Sequence, residues 1–301
     1  MNRYVYAFQY WIKPLVLLMA VGLLPLDSAI FVKALLLFSP LMLMPLWSGM
    51  RRLQHKLEYM AAIALAGSFQ FTPGIESALL TLPWLVARLF VVKDVATEWR
   101  RAGLPSSATA CLHTAAVFPA IGAAWLVAHR AGWAPWGFDP LIVLLTAAHF
   151  HHAGFTLPLM AGLNAKASPG FWTKLSCELI LLGVPLVAVG ITGTHFGVWR
   201  FVEPFGVAVL VLGALGVAVS QVWRGLERQR SILTRIGFLL SGASLFAAMV
   251  LALGFGLRYV IPNFALTMPQ MWAIHGTLNA FGFGLCGILA WRGAVTRSER
   301  P

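Results

Sequence analysis

This sequence of 301 residues is 59% hydrophobic and only 11% charged, and its mean hydropathy is +0.79. A soluble domain carries about 25% charged residues, so the composition excludes an ordinary water-soluble protein and requires lipid around most of the chain. The net charge of +12 lies in short loops between apolar runs. It lacks the basic patch with interleaved aromatic residues that a nucleic-acid-binding surface needs, so nucleic acid is excluded as a partner.

Apolar runs of about 20 residues, the length that crosses a lipid bilayer, recur from end to end of the chain. They predict an all-α fold, a polytopic transmembrane helix bundle that forms one integral membrane domain over residues 1–301. We expect ten spans, at 11–26, 29–49, 54–71, 74–92, 106–129, 139–163, 172–194, 203–223, 235–258 and 269–292. The first is short enough to be interfacial, and the third and fourth are alternatively one helix over 54–92, broken at Pro73 and Gly74.

Basic residues are concentrated in alternate loops of this ten-span prediction. The clusters follow the even-numbered spans, at 51–56, 93–101, 166–174, 224–235 and 292–300. Lys and Arg accumulate on the cytoplasmic side of membrane proteins. We therefore expect a multi-pass protein of a bacterial inner membrane with both termini in the cytoplasm.

Three histidines, His149, His151 and His152, lie within the sixth predicted span. An ionisable group at the centre of a bilayer costs about 2.5–3.5 kcal/mol on insertion scales, so each one needs a physical reason. His149 and His152 are three residues apart and share one helix face. His151 points elsewhere in a regular helix, unless a π-bulge near Gly154 brings it round.

The tenth predicted span carries His275 and Asn279, which are four residues apart and share a helix face. Both the sixth and the tenth span run from outside to inside in the predicted topology. At 1.5 Å per residue, His149 and Asn279 lie ~15 Å below the outer ends of their helices, and His275 lies about one turn higher. We therefore predict that the two helices pack side by side with His149 facing His275.

A second group of ionisable residues lies deeper in the predicted membrane. His152 lies at ~20 Å and Glu178, on the seventh span, at ~21–24 Å from the outer face, and His113 of the fifth span is near that level. Because the sixth and seventh spans are neighbours and antiparallel, we expect Glu178 to lie near His151 or His152.

These residues support three kinds of function. Imidazole is a common ligand of Zn, Cu and haem iron and is neutral when it binds a metal, which predicts a transition-metal or haem site for redox chemistry. His and Glu together equally suit a proton path in a transporter or proton-coupled permease. The third alternative is a membrane scaffold, in which the histidines only bond across helices. Neither an HExxH motif nor a set of desaturase-like histidine boxes is present, and no particular metal, ion or small molecule is indicated as ligand.

Acidic residues at the ends of the predicted spans receive a simpler interpretation. They include Asp27, Glu76, Asp139 and Glu203. Water is near at these positions, so we expect ordinary interfacial side chains.

Two motifs resemble those of the YndJ-like family of bacterial integral membrane proteins. They are the segment from His149 to Gly162, which begins His-Phe-His-His-Ala-Gly-Phe, and the segment His-Gly-Thr-Leu-Asn-Ala-Phe-Gly-Phe, which begins at His275. The family pattern has tyrosine where this sequence has His152. The resemblance therefore implies a metal or functional site at His149, His151, His275 and Asn279, and it implies no particular reaction. The depth of His113, His152 and Glu178 in the membrane makes them the expected supporting or proton-path residues.

Overall fold

The computed structural model describes the backbone of residues 3–25, 27, 29–47, 52–259, 261–264 and 266–298, and the side chains of these residues except 3–12, 52–55, 264 and 295–298. No strand occurs in this part of the chain. When a helix that continues through a π-helical turn is counted once, ten helices follow one another, as the sequence predicts. They are α1 (Arg3–Gly22), α2 (Ile30–Trp47), α3 (Arg52–Ser68), α4 (Ile75–Ala102), α5 (Ser107–Arg130), α6 (Pro140–Ala167), α7 (Phe171–His195), α8 (Val202–Leu226), α9 (Ile232–Gly256) and α10, whose apolar part is Met268–Ala294.

Eight of the described helices are long and apolar enough to cross a membrane. The other two are α1, whose apolar part is Lys13–Gly22, and α3, which has 17 residues and a polar first turn. The all-α polytopic membrane fold is thereby confirmed. The orientation of the termini and the single domain over the whole chain stay predictions.

The region 54–92 forms two helices joined by a short turn. Helix α3 ends at Ser68 and α4 begins at Ile75. The guanidinium of Arg130 lies at this turn and donates to the carbonyl oxygens of Ser68, at 3.0 Å, and of Phe71. The last carbonyls of a helix lack backbone partners, and a cation that binds them stabilises the helix end. Arg130 therefore holds the hairpin between α3 and α4 in place.

Helix α6, which carries the three neighbouring histidines, is α-helical throughout. The alternative of a π-bulge near Gly154 is therefore wrong. The regular helix already turns His151 towards protein, so no inserted residue is needed to bring it round. The π-helical turns lie instead in α2, at Ser39–Leu43, and in α10, at Met271–His275 and Leu278–Leu285.

The chain divides into two compact units. The first comprises 1–94 with 117–151, and the second comprises 95–116 with 152–301. In the second unit, α7 and α8 pack closely because glycine faces the partner helix. A Cβ added to Gly183 would lie 2.7 Å from the Cα of Leu210, and small residues permit such approach where hydrophobic burial cannot drive helix association.

Candidate functional site

The imidazole of His151 belongs to the first unit and is completely buried. Helix α5 approaches it closely at Gly122, where an added Cβ would lie 2.6 Å from Nδ1 of His151. Helix α2 approaches from its π-helical turn, where the hydroxyl of Ser39 donates to the carbonyl oxygen of His151. The indole of Trp84 on α4 stacks near the imidazole, with ring centroids 6.0 Å apart. Three helices, α2, α4 and α5, therefore surround this residue of α6.

The two ring nitrogens of His151 both have hydrogen-bond partners. The indole N–H of Trp84 donates to Nε2 over 2.9 Å, and Nδ1 lies 2.8 Å from the carbonyl oxygen of Ala147. Because an indole only donates, Nε2 must be the acceptor, and Nδ1 must carry the proton that it donates to Ala147. The surroundings thus select the neutral imidazole with its proton on Nδ1. A second proton on Nε2 would break the bond with Trp84.

A buried ion pair continues this cluster along α4. The guanidinium of Arg88 lies over the Trp84 ring, 4.6 Å from its centroid, and Nη2 of Arg88 lies 2.6 Å from Oε1 of Glu58 on α3. The side chains of Arg88 and Glu58 are only 4% and 11% exposed. Contacts therefore run without interruption from the carboxylate of Glu58, through Arg88 and Trp84, to His151. We call these four side chains the His151 cluster.

His149, the predicted partner of His275, lies on an exposed face of α6. Its Nδ1 lies 3.0 Å from the carbonyl oxygen of Leu145, one turn earlier in the same helix. This differs from His151, which the same helix turns inward. His149 and His151 are two residues apart, and in an α-helix such residues point in different directions.

The two predicted site residues of α10, His275 and Asn279, lie at its π-helical turns. Nδ1 of His275 lies 3.0 Å from the carbonyl oxygen of Ala248 on α9, and the side-chain amide of Asn279 donates to the carbonyl oxygen of His275 over 2.8 Å. π-Helical turns occur frequently at functional sites. Whether His149 and His275 face one another stays a prediction.

The second predicted group, His113, His152 and Glu178, belongs to the second unit. Nδ1 of His113 accepts a bond from the indole of Trp99, and its Nε2 lies 3.3 Å from Oε2 of Glu98. Glu178 is half exposed; its Oε1 accepts a bond from Ser107 and lies 3.6 Å from Nζ of Lys174.

The side chain of His152 is buried, and its carbonyl oxygen accepts a bond from Thr156. The structure thus gives Glu178 contacts with a serine and a lysine. The expected supporting role of His113, His152 and Glu178 stays a prediction.

Within the part of the chain that the structure describes, no three His, Cys, Asp or Glu side chains converge in the way that a metal site built from them would require. The metal assigned to His149, His151, His275 and Asn279 stays a prediction. Of these, His151 fits a metal least, since its Nε2 lone pair accepts from Trp84.

Sequence reasoning missed three members of the His151 cluster. Arg88 lies inside the predicted span 74–92, four residues from its end, and an arginine within a span is costly, so it could have been found. Glu58 lies in the polar start of the third predicted span, and Trp84 is one of many apolar residues in the fourth. Glu203, expected at a watery interface, is 3% exposed and forms a 2.5 Å ion pair with Arg258. The interpretation of Glu203 as a water-exposed side chain is wrong, because Arg258 pairs with it at the first turn of α8.

Comparison with known proteins gives a match to one family model and to a curated relative. The family model described as YndJ-like protein matches residues 29–283. A curated relative, the "Uncharacterized membrane protein YndJ" of Bacillus subtilis (strain 168), is 31% identical over 183 residues, which are 58% of this chain and 31% of the relative. The match thus spans about a third of the length of that relative. No solved structure matches the chain.

Proposed function

This chain belongs to the YndJ-like family of integral membrane proteins, and from this premise we propose that it is a proton-coupled transporter of a small anion in a bacterial inner membrane. The observation that carries the proposal is the unbroken set of contacts from Glu58 through Arg88 and Trp84 to His151. Ionisable side chains inside membranes are rare, and they mark ion and proton pathways in pumps and transporters. This choice takes the second of the three alternatives that the sequence leaves open.

The ion pair supplies the coupling between proton and anion. Glu58 balances the charge of Arg88, and removing one partner of a buried pair costs about 3–5 kcal/mol because the other charge is left uncompensated. A proton that neutralises Glu58 likewise leaves the charge of Arg88 uncompensated. An anion that then binds Arg88 restores the balance. Proton binding and anion binding therefore favour one another, and this reciprocity is the thermodynamic basis of symport.

His151 extends this coupling to four helices. Any displacement of Arg88 acts first on Trp84, whose ring the guanidinium covers, and then on the bond from Trp84 to Nε2 of His151. His151 in turn contacts α2 through Ser39 and α5 at Gly122. A change of charge at Glu58 thus reaches the packing of α2, α4, α5 and α6.

Proton flux into proteoliposomes tests the proposal. Vesicles that contain the purified protein and the pH dye pyranine are given inward gradients of chloride, phosphate and succinate in separate experiments. We expect at least one anion to acidify the interior faster than it does in protein-free vesicles. Glu58→Gln and Arg88→Gln should abolish that acidification. Glu76→Gln removes an exposed carboxylate at the start of the same helix hairpin and should leave it unchanged.

Two outcomes would contradict a proton-coupled transporter. One is that no gradient acidifies the vesicles beyond the protein-free control. The other is that Glu58→Gln transports protons as well as the wild type does. A membrane scaffold without chemistry predicts the first outcome.

A metal or haem is the second candidate, favoured by the anchoring of two histidines. Nδ1 of His149 and Nδ1 of His275 each lie 3.0 Å from a backbone carbonyl oxygen. Metal-binding imidazoles commonly anchor one ring nitrogen in this way while the other binds the metal. Asn279, bonded to the carbonyl of His275, would hold the second of these imidazoles in place.

A further inference from the structure

A further buried arginine, Arg224, belongs to the second unit. It lies near the end of α8 and is 5% exposed. Its Nε donates to Oδ1 of Asn164 over 2.7 Å, and its Nη2 donates to the hydroxyl of Ser168 over 3.0 Å and to the carbonyl oxygen of Asn164 over 3.3 Å. Its guanidinium lies over the ring of Trp291, 4.7 Å from the centroid.

The bonded partners of Arg224 are all uncharged, which sets it apart from two other buried or half-buried arginines. Arg88 pairs with Glu58, and Arg258 pairs with Glu203. The carboxylate of Glu227, one turn beyond Arg224, pairs with Arg230 at 2.8 Å. Asn164 and Ser168 lie at the carbonyl end of α6, and a helix end carries about half a negative charge. Part of the charge of Arg224 is thus left without balance.

Polar atoms without partners surround this arginine. Among the described residues, the side-chain amide nitrogen of Asn164, both amide atoms of Gln221 and the indole nitrogen of Trp291 are buried and make no hydrogen bond. Gln221 is fully buried and lies one turn before Arg224, on the same face of α8. Burying such a group without a partner is unfavourable. Asn164 and Trp291 contact Arg224, and Gln221 lies a turn away on α8, so we expect a ligand to bond to these atoms.

We propose that Arg224, Gln221, Asn164 and Trp291 bind a phosphate group. The unpaired nitrogens of Asn164, Gln221 and Trp291 are donors, and with the guanidinium they select an anion. The amide oxygen of Gln221 is an acceptor and requires a ligand that also carries an O–H. A halide has no such hydrogen, whereas a hydrogen phosphate or a phosphomonoester has one.

A cavity of about 320 Å³ is lined by residues that come soon after Arg224 and Trp291 in the chain, including Glu227, Arg230 and Gly293. Two sources of a phosphate group with an O–H fit the proposed site. One is inorganic phosphate from water, and the other is the headgroup of phosphatidic acid in the bilayer.

Two binding measurements on detergent-purified protein distinguish the sources. Radiolabelled orthophosphate binding is measured by scintillation proximity, and phosphatidic acid binding is measured by native mass spectrometry against phosphatidylcholine as competitor. We expect one of the two ligands to bind the wild type. Arg224→Gln should weaken that binding by about tenfold or more, as expected for loss of a charge-assisted bond. Arg228→Gln removes an exposed positive charge one turn away and should change it less than twofold.

Gln221→Glu keeps the test decisive if Arg224→Gln fails to fold. The new carboxylate supplies the missing counter-charge, so this variant should lose phosphate binding and yet melt at a higher temperature than the ligand-free wild type. The proposal is overturned if neither ligand binds the wild type, or if Gln221→Glu binds as the wild type does. Buried water would then bond to these atoms.

Discussion

The indole N–H of Trp84 donates a 2.9 Å hydrogen bond to Nε2 of His151, and this bond determines which ring nitrogen of the imidazole carries the proton. Nε2 accepts, so Nδ1 must hold the proton that it donates to the carbonyl of Ala147. A histidine in the lipid-spanning part of the chain is thereby kept neutral without a metal. The guanidinium of Arg88 lies over the face of the same indole. Direct contacts therefore connect the imidazole of His151 to the Glu58–Arg88 ion pair.

Replacing Trp84 with phenylalanine should destabilise the protein. The change leaves Nε2 of His151 buried without its donor, which costs about 1–3 kcal/mol. The melting temperature in detergent should fall accordingly. Trp133→Phe alters a tryptophan that is mostly exposed and should leave the melting temperature within error. Equal melting temperatures for the two variants would mean that the Trp84–His151 bond contributes nothing to stability.

Gly122 should tolerate no side chain. A methyl group there would lie 2.6 Å from Nδ1 of His151 and 2.9 Å from Cβ of Phe150, so Gly122→Ala forces α5 away from α6 at a cost of about 1–3 kcal/mol. The control is Gly67→Ala on α3, where a Cβ meets no atom within 4 Å. Alanine at a helix position is favoured over glycine by about 1 kcal/mol, so this variant should be slightly more stable. Thermal unfolding of both variants in one detergent gives the comparison.

The Glu58–Arg88 pair should show strong thermodynamic coupling. Arg88→Gln and Glu58→Gln each leave a buried charge unbalanced and should each cost about 3–5 kcal/mol, whereas the double variant removes both charges and should recover much of that loss. A double-mutant cycle of unfolding free energies measures this. If the two losses simply add, the pair makes no direct interaction.

The metal or haem site gives a prediction that is independent of transport. If His149 and His275 bind such a group, elemental analysis and the visible absorption spectrum of the purified wild-type protein should reveal it. His149→Ala and His275→Ala should each remove it while the protein still inserts into the membrane. A colourless, metal-free wild type would contradict this candidate function and would leave the His151 cluster unaffected.

The succession of helices was predictable because lipid imposes a simple length requirement on apolar sequence. Each of the ten predicted spans is a helix in the described structure, and the break at Pro73 and Gly74 separates α3 from α4. The π-helical turns were not predictable in this way. Their position in α2 and α10 depends on contacts between helices, such as Ser39 with His151, that hydropathy does not encode.

The site was only partly predictable for a similar reason. The cost of burying charge correctly drew attention to His151, but it gave no information on its partners. Trp84 is one of many apolar residues in its predicted span, and Arg88 and Glu58 lie on helices that sequence spacing cannot relate to α6. The hydrogen bond from Trp84 and the ring of Trp84 under Arg88 are tertiary contacts, and only coordinates reveal them.

The nitrogen-15 spectrum of His151 tests most directly whether the His151 cluster acts as a unit. Wild-type protein with labelled histidine is compared in lipid nanodiscs with Glu58→Gln and with Glu76→Gln, and the His151 signals are assigned with His151→Gln. If loss of charge at Glu58 passes through Arg88 and Trp84, the Nε2 resonance of His151 should move in Glu58→Gln and stay in place in Glu76→Gln. Superimposable His151 signals in the wild type and Glu58→Gln would contradict a connected site.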